Sequence, residues 1–254
     1  MQQHATRVPQ LPAHISACLF DLDGVLTQTA KVHAAAWKQM FDAFLSERSA
    51  REGREFSPFD LATDYPQHVD GKLRQDGVRS FLESRGIRLE EGSQDDPPSA
   101  ETVYGLGKRK NDLFLEVLRR DGVDVYEGSV QFVKAARDCG LRRAVVSAST
   151  NCREVLEAAG IADLFEVRVD GLVAREKGLR GKPAPDTFLA AARALSVEPA
   201  NAAVFEDAIA GVEAGRAGSF GLVVGVDRHG KADKLRDHGA DLVITDLAQL
   251  LVER

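Results

Sequence analysis

Phe20-Asp21-Leu22-Asp23-Gly24-Val25 is the stretch that decides the fold, because an apolar run ends there in two carboxylates one residue apart. The run opens at Ile15 and continues through Leu19, which predicts a short buried strand. Ligands of a parallel α/β sheet bind beyond the carboxyl ends of its strands, so we expect both acids at the mouth of a cleft, with Gly24 allowing a sharp turn. Two carboxylates this close repel each other, and Mg²⁺, which prefers oxygen ligands, relieves that repulsion. An ordinary Asp-Gly turn is the alternative.

Strands and helices alternate along the second half of the chain, which is typical of a parallel sheet with crossover helices. The later strands are predicted at 143–147, 165–169, 202–205, 221–226 and 241–244. Helices are predicted at 29–45, 76–85, 108–120, 130–139, 153–159 and 187–195, and the polar segment 91–100 as a surface loop. The alternation is interrupted after the first strand by a mostly helical stretch. We therefore expect an α/β core with a Rossmann-like parallel sheet, formed by 15–33 and 111–254, an inserted helical cap at 34–110, and a loose leader at 1–14.

Composition limits the possible functions. The chain has 254 residues, of which 44% are hydrophobic and 28% charged, as in a globular protein with a large core. Its net charge is -6 and its basic residues are scattered, so no nucleic-acid partner is expected. No apolar stretch is long enough for a membrane span. Three cysteines without metal-type spacing fit a reduced cytoplasm, and we expect a monomer.

A hydroxyl-rich segment follows the second predicted strand. Ser147-Ala148-Ser149 leads into a helix opened by Asn151. Small hydroxyls and helix N–H groups suit phosphate oxygens, so Ser147, Ala148 and Asn151 are candidates for binding a phosphorylated substrate. A simple helix N-cap is the alternative interpretation.

Two more strand or helix junctions carry charge. Lys182 stands in Lys182-Pro183-Ala184-Pro185-Asp186, where the prolines form a rigid mount for one cation, although a surface turn would use the same residues. Glu206-Asp207 repeats the pattern of the first motif at the end of another apolar strand. Four acids delivered by two strand ends, Asp21, Asp23, Glu206 and Asp207, would form a cation site.

The order of these motifs resembles that of the haloacid dehalogenase superfamily of phosphotransferases over the whole chain after the leader. The four matching segments are 20–25, 146–151, 182–186 and 205–211. Within the superfamily, the stretch 21–29, His33, Trp37 and Lys108-Arg109-Lys110-Asn111-Asp112 are similar to the β-phosphoglucomutase branch.

The resemblance implies a role for each core residue. Asp21 would be the nucleophile that takes up the phosphoryl group, and Asp23 the general acid and base. Ser147 and Lys182 would hold the transferring phosphoryl oxygens. Mg²⁺ would be held by Asp21, the backbone carbonyl of Asp23, Asp207 and, directly or through water, Glu206.

The same resemblance implies roles for residues in and next to the cap. Thr29 and His33 would couple cap closure to the acid/base residue, while Gly71 and Arg74 would grip the distal phosphate. The branch usually has a Lys just before that Gly, whereas this chain has Asp70 there, and Lys72 would substitute for it. His33 as a polar residue on an apolar helix, Trp37 as a core residue and 108–110 as a solvated helix start are the simpler alternatives.

The function implied is interconversion of β-glucose 1-phosphate and glucose 6-phosphate through an aspartyl phosphate and glucose 1,6-bisphosphate. A sugar-phosphate phosphatase using the same residues is the second hypothesis, since water attack on the aspartyl phosphate would give hydrolysis. A phosphosugar-binding regulator without turnover is the third, and the intact Asp21, Asp23, Lys182 and Asp207 argue against it. A dehalogenase is disfavoured because that chemistry needs neither Asp23 nor the magnesium acids.

Overall fold

Six parallel strands form the central sheet of the computed structural model, which describes residues 7–69, 72 and 74–253. They are numbered after a short first strand, β1 (Arg7–Pro9). In chain order they are β2 (Ala17–Phe20), β3 (Arg142–Val146), β4 (Val167–Val169), β5 (Ala202–Glu206), β6 (Leu222–Val226) and β7 (Leu242–Ile244). Across the sheet the order is β4-β3-β2-β5-β6-β7, and every neighbouring pair is parallel. The predicted α/β class with a parallel sheet is confirmed.

The central strands are buried along their whole length. All residues of β2 and β5 are shielded from solvent, as expected for a parallel sheet covered by helices on both faces. Phe20 stacks on Phe205 across the two strands, with ring centroids 4.8 Å apart. This burial fixes the register of β2 against β5, so the residues that follow each strand emerge side by side.

The strand order creates a switch point between β2 and β5. From β2 the chain goes on to β3 and β4 on one side, and from β5 it goes to β6 and β7 on the other. Connections that diverge in this way leave a crevice at the carboxyl ends of the two strands, where ligands of open α/β sheets bind. Asp21 and Asp207 are the residues directly after β2 and β5.

Most of the regular structure outside the sheet is helical. They are α1 (Ala30–Glu52), α2 (Arg74–Ser84), α3 (Val103–Asp121), α4 (Glu127–Asp138), α5 (Cys152–Ala158), α6 (Gly171–Glu176), α7 (Asp186–Ala194), α8 (Ile209–Ala217) and α9 (Ala232–Asp237). Shorter turns are a π-helical turn (Tyr65–Val69) and 3₁₀ turns (Ala162–Leu164, Pro199–Asn201, Leu247–Leu250). In the described part of the chain, no helix combines the length and apolar character needed to cross a bilayer.

The chain divides into two structural units. The first comprises the residues up to Thr29 and from Val123 onward, and the second comprises Ala30–Gly122. We predicted the junctions after residues 33 and 110, but α1 already begins at Ala30 and α3 continues to Asp121, so both junctions move to the ends of these helices. His33 consequently belongs to the helical unit rather than to the α/β unit.

Aromatic side chains form the core of the helical unit. Trp37, Phe41 and Phe44 lie on one face of α1, at the three- and four-residue spacing of an amphipathic helix. The Phe41 ring lies 4.1 Å from that of Phe81 in α2 and 5.2 Å from that of Phe59. Trp37 stacks on Phe41, with centroids 5.3 Å apart, so it is a core residue, as the simpler interpretation held.

Two helices of this unit are longer than predicted. Charged residues follow residue 45, yet α1 continues to Glu52, where Arg48 and Glu52 pair one turn apart. Helix α3 starts at Val103 rather than at residue 108, because the Thr102 hydroxyl caps it by accepting a hydrogen bond of 2.9 Å from Gly105 N. The polar segment 91–100 before this helix has no helix or strand, as predicted.

Part of the expected loose leader is an ordered strand. β1 pairs antiparallel with β8 (Leu251–Glu253), with Arg7 opposite Glu253 and Pro9 opposite Leu251. A further hydrogen bond of 2.7 Å joins Gln10 N to Leu250 O. The prediction was wrong for these residues, because a short strand of three residues is stable only through a partner that lies at the other end of the chain.

Candidate active site

Asp21 is held at the start of the crevice by the sheet itself. Its backbone N–H donates to Phe205 O at 2.9 Å, which extends the pairing of β2 with β5 by one residue. Its side chain is largely buried, with 11% exposed. The nucleophile predicted from sequence is thus fixed in position at the switch point.

Lys182 brings three strand ends together. Its ammonium contacts Asp21 Oδ1 and Glu206 Oε1, and it lies 3.3 Å from Val146 O at the end of β3. Its side chain is 12% exposed and its ammonium lies 4.9 Å from the centre of the Phe188 ring. The segment around Lys182 is therefore not a solvated surface turn.

The carboxylates of this cluster outnumber its one ammonium. Burial raises the pKa of Asp21 to about 8, with Glu206 and Asp23 adding to the rise and Lys182 opposing it. Burial also holds the pKa of Asp207 well above its usual range, aided by Glu206 and Asp21. Burial tends to lower the pKa of Lys182, but Asp21 and Glu206 outweigh it and raise that pKa, so the ammonium stays charged. Without a cation these two acids therefore favour their protonated forms, and a bound cation would stabilise the ionised forms.

Thr29 orients Asp23, which is only partly buried. The Thr29 hydroxyl donates to Asp23 Oδ1, and Thr29 itself is buried. Gly24 has φ 82° and lies against Asp207, so that a Cβ at this position would collide with the Asp207 carboxylate. A glycine is therefore required here both by the left-handed backbone and by the approach of the second acid pair.

Glu206 is fixed by the turn that follows β5. Its Oε2 accepts a hydrogen bond of 2.9 Å from Ala208 N, and a Cβ at Gly211 would overlap its carboxylate. With one oxygen held by the backbone and the other by Lys182, Glu206 is the most constrained acid of the cluster.

The hydroxyl-rich segment after β3 has an ordered backbone. Ser147 is buried, and its Oγ accepts from Ser149 N at 3.1 Å, which leaves its own hydroxyl hydrogen to donate. Ser149 Oγ in turn accepts from Asn151 N at 3.1 Å. Ala148 is exposed and Asn151 is buried just before α5. These hydrogen bonds lie within the segment, so its role in binding phosphate stays a prediction.

A metal ion has no preformed cage in this arrangement. In residues 7–69, 72 and 74–253, no three His, Cys, Asp or Glu side chains are grouped so that they could chelate an ion as they stand. The oxygen donors of Asp21, Asp23, Glu206 and Asp207 are nevertheless of the type that Mg²⁺ prefers. Burial and the neighbouring acids raise the pKa values of Asp21 and Asp207, so a bound cation would favour their ionised forms. The donor set fits a hard divalent cation.

His33 in the helical unit is paired with a buried lysine. Its Nδ1 lies 2.7 Å from Lys110 Nζ, and its ring stacks on Phe114 with centroids 4.3 Å apart. Burial lowers the pKa of His33 well below its usual range, and the charges of Lys110 and Arg74 lower it further. His33 is therefore a neutral acceptor for the Lys110 ammonium.

Sequence reasoning did not place Lys110 among the site residues. Lys108 is exposed, as expected of a solvated helix start, but Lys110 is only 3% exposed and the simpler interpretation is wrong for it. The available signal was its spacing, because Lys110 falls four residues after Leu106 and four before Phe114 on the apolar face of α3.

The remaining cap candidates differ in what the structure describes. Gly71 lies outside the described residues. Lys72 donates to Ser80 Oγ at 2.8 Å and to Gln67 O at 3.1 Å, so its amine is bound to its own unit. Arg74 is the first residue of α2 and is partly buried. A phosphate contact by Lys72 or Arg74 stays a prediction.

Comparison with known proteins identifies the class. A family model described as haloacid dehalogenase-like hydrolase matches residues 15–218, and the chain belongs to this family. The chain is 57% identical over 249 residues to proteins named β-phosphoglucomutase from Mycobacterium bovis and Mycobacterium tuberculosis, covering 97% of this chain and 95% of theirs. The crystal structure of a β-phosphoglucomutase from Clostridium difficile is 26% identical, with a TM-score of 0.70 and 93% of each chain covered. The resemblance to the β-phosphoglucomutase branch is confirmed.

Proposed function

We propose that this protein is a Mg²⁺-dependent β-phosphoglucomutase, which interconverts β-glucose 1-phosphate and glucose 6-phosphate. The observation that carries the proposal is Asp21, a buried carboxylate at the switch point that is held by Lys182 beside a second acid pair. The extensive identity to mycobacterial β-phosphoglucomutases supports the mutase over the phosphatase hypothesis.

Asp21 would act as the nucleophile. One of its oxygens forms a bond to phosphorus while the bond from phosphorus to the leaving oxygen breaks, which gives an aspartyl phosphate. The aspartyl phosphate would then transfer its group to the 6-hydroxyl of bound β-glucose 1-phosphate, which gives glucose 1,6-bisphosphate. Asp21 would take up the 1-phosphoryl group of that bisphosphate, which releases glucose 6-phosphate and restores the phosphoenzyme. Lys182, already against Asp21, and the free hydroxyl hydrogen of Ser147 would stabilise the phosphoryl oxygens as charge develops. Ala148 and Asn151 would complete the phosphate contacts.

Asp23 would move the proton. It donates a proton to the departing sugar oxygen and removes one from the attacking hydroxyl in the reverse step. The contact from Thr29 fixes one oxygen of the Asp23 carboxyl. In the helical unit, His33 and Arg74, with Gly71 and Lys72, are the proposed contacts to sugar and distal phosphate.

The cation would be held by oxygen atoms from both acid pairs. Asp21, Glu206, Asp207 and the backbone carbonyl of Asp23 are the proposed ligands of Mg²⁺, which supplies charge neutralisation when bound. The excess of carboxylates over Lys182 supports this assignment. We further propose a cytoplasmic monomer, because Cys18, Cys139 and Cys152 are free thiols and one chain provides all the core groups.

Simultaneous measurement of two products tests the proposal. The protein is incubated with β-glucose 1-phosphate, Mg²⁺ and a trace of glucose 1,6-bisphosphate, and glucose 6-phosphate and inorganic phosphate are followed together. The mutase predicts glucose 6-phosphate as the main product, with activity lost on chelation of Mg²⁺. Inorganic phosphate as the main product would establish the phosphatase instead, and neither product would support a binding protein.

A further inference from the structure

Arg228 is a buried cation that none of the sequence motifs includes. It follows β6 by two residues and precedes α9. Its side chain is only 9% exposed, although it lies in a connecting loop. Burying a guanidinium is costly unless each of its N–H groups has a partner, so its contacts identify what it holds in place.

The Arg228 side chain binds the turn that carries the catalytic acids. Its Nε donates to Gly24 O at 2.9 Å, and Nη2 lies 3.4 Å from Val25 O. Gly24 directly follows Asp23, and it is the residue against which Asp207 packs. Arg228 thereby fixes the backbone immediately after the proposed acid/base residue.

The other side of the guanidinium is bound to the sheet and to α4. Nη1 donates to Thr245 O at 2.6 Å and lies 3.4 Å from Asp246 Oδ2, and Nη2 lies 3.4 Å from Ser129 Oγ. These acceptors surround the planar guanidinium and are reached from different nitrogen atoms. A lysine side chain has only one nitrogen and cannot reach all of them. The turn after Asp23 is therefore attached to the rigid part of the α/β unit through Arg228.

Arg228 also contacts the second of the two segments that lead to the helical unit. Its guanidinium carbon lies 3.5 Å from the centre of the Tyr126 ring. The two segments are joined to each other, since Tyr126 N donates to Leu26 O at 2.9 Å and Gln28 N to Asp124 O at 2.8 Å. One side chain thus contacts both of these joined segments.

We propose that Arg228 is a positioning residue for the phosphoryl transfer, which holds the turn after Asp23 so that the Asp23 carboxyl is placed for proton transfer to the sugar oxygen. This inference rests on the proposed function, because it assigns a consequence to the acid/base role of Asp23. The contacts of Arg228 given above involve neither the Asp21 nor the Asp23 carboxyl group.

Two phosphoryl donors with different leaving groups can distinguish this positioning role from a general structural role. Transfer from glucose 1,6-bisphosphate to Asp21 breaks a bond from phosphorus to a sugar oxygen, which needs the proton of Asp23. Transfer from acetyl phosphate to Asp21 releases acetate, a stable anion that needs no proton. Loss of Arg228 should therefore impair phosphoryl transfer from the sugar and spare transfer from acetyl phosphate.

The test compares Arg228→Ala, Arg228→Lys and wild type with both donors under single-turnover conditions, with the phosphoenzyme measured by intact mass. Displacement of a catalytic group by about 1 Å costs on the order of a hundredfold, so we expect a loss of roughly tenfold to a hundredfold with the bisphosphate. The rate of transfer from acetyl phosphate should stay within about threefold of the wild-type rate. This step does not use Asp23, so displacement of the Asp23 carboxyl should not slow it. In steady state, kcat should fall while KM changes little.

Two controls make the outcome decisive. Arg216→Ala removes an exposed arginine of the same unit, which pairs with Asp241 at 3.2 Å, and it should retain wild-type rates with both donors. Thermal unfolding shows whether each variant is folded at the assay temperature, and Arg228→Lys, which keeps the charge, serves if Arg228→Ala does not fold. The lysine variant should remain impaired, because it lacks the fork.

Equal losses with both donors, or full activity of Arg228→Lys, would overturn the role of Arg228 alone. A wild-type protein that accepts no phosphoryl group from either donor would overturn the proposed function and this inference with it.

Discussion

The two units of the molecule each bury a lysine, but in opposite surroundings. Lys182 in the α/β unit lies against the carboxylates of Asp21 and Glu206, whereas Lys110 in the helical unit lies against the neutral ring of His33 and the faces of Trp37 and Phe114. The first surroundings raise the pKa of Lys182, and the second include a histidine whose pKa is lowered.

This difference indicates two uses of a buried cation. Lys182 only partly offsets the burial and the neighbouring acids that raise the pKa values of Asp21 and Asp207, which suits a site completed by a metal ion. Burial keeps His33 uncharged, the charge of Lys110 adds to this effect, and the Lys110 amine contacts the Nδ1 of the ring. The α/β unit thus contains a cluster of ionisable groups around Lys182, whereas the helical unit uses Lys110 to position a neutral polar group, His33.

Removal of the nucleophile should have the largest effect. Asp21→Asn keeps the size of the side chain but cannot form an acyl phosphate, so kcat should fall by about 10⁴-fold or more. The rate of glucose 6-phosphate formation measures this loss. Asp237→Asn, an exposed change in α9, is the matched control and should keep its activity. Retention of more than a few per cent of activity in Asp21→Asn would refute the assigned nucleophile.

Removal of the Lys182 ammonium from the acidic cluster should have the second-largest effect on activity. Lys182→Ala removes the ammonium that contacts Asp21 and Glu206, and kcat should drop by roughly 10²–10³-fold, as when a preorganised charge-stabilising donor is deleted. Lys134→Ala, on the exposed face of α4, provides the comparison. If both alanine variants gave the same rate, Lys182 would have only a structural role.

The raised pKa of Asp21 predicts how stability depends on pH in the metal-free protein. The folded-state pKa of about 8 lies above the unfolded value of 3.8, so the folded state keeps a proton that the unfolded state loses. This contribution is complete below pH 3.8 and disappears as pH rises through about 8.

Asp21→Asn, which cannot titrate there, should therefore gain stability over wild type by about 4 kcal/mol between pH 5 and pH 8, since one pKa unit corresponds to about 1.4 kcal/mol. Urea unfolding in the presence of a chelator measures this difference. A gain that is the same at both pH values would show that Asp21 does not have a raised pKa.

The pair of Lys110 and His33 in the helical unit predicts a smaller effect, which is confined to the pKa of His33. Lys110→Met keeps the length of the side chain and removes its charge, so the pKa of His33 should rise, although burial still keeps it below its usual range. An NMR titration of the His33 ring follows this change. Lys108→Met, exposed on the same helix, should leave the titration as it was. No change in either variant would mean that the Lys110 charge does not act on His33.

The α/β unit could be predicted well because its signals are local. Each of the two central strands is an apolar run that ends in acids, and their common edge follows from parallel pairing alone. Asp21 and Glu206 could therefore be expected to lie close together although they are distant in the chain, and Lys182 contacts both of them. The position of Lys182 depended on the resemblance, since a Pro-flanked lysine is equally compatible with a surface turn.

The other features depend on contacts that the sequence does not encode locally. β1 needs its partner β8 at the far end of the chain, and the start of α3 depends on a Thr102 cap within a polar loop. Lys110 is buried because α1 and α3 pack together and enclose it. Arg228 belongs to no motif, and its contacts come from three separate chain segments. Such residues become visible only when the chain is folded.

The most direct test of the account is the location of the phosphoryl group. The protein is incubated with glucose 1,6-bisphosphate and Mg²⁺, quenched in acid, digested and analysed by peptide mass. The account predicts one phosphoryl group on the peptide that contains Asp21, on Asp21 itself, and its absence when Mg²⁺ is chelated. A phosphoryl group on another residue, or an unmodified protein that still produces glucose 6-phosphate, would contradict it.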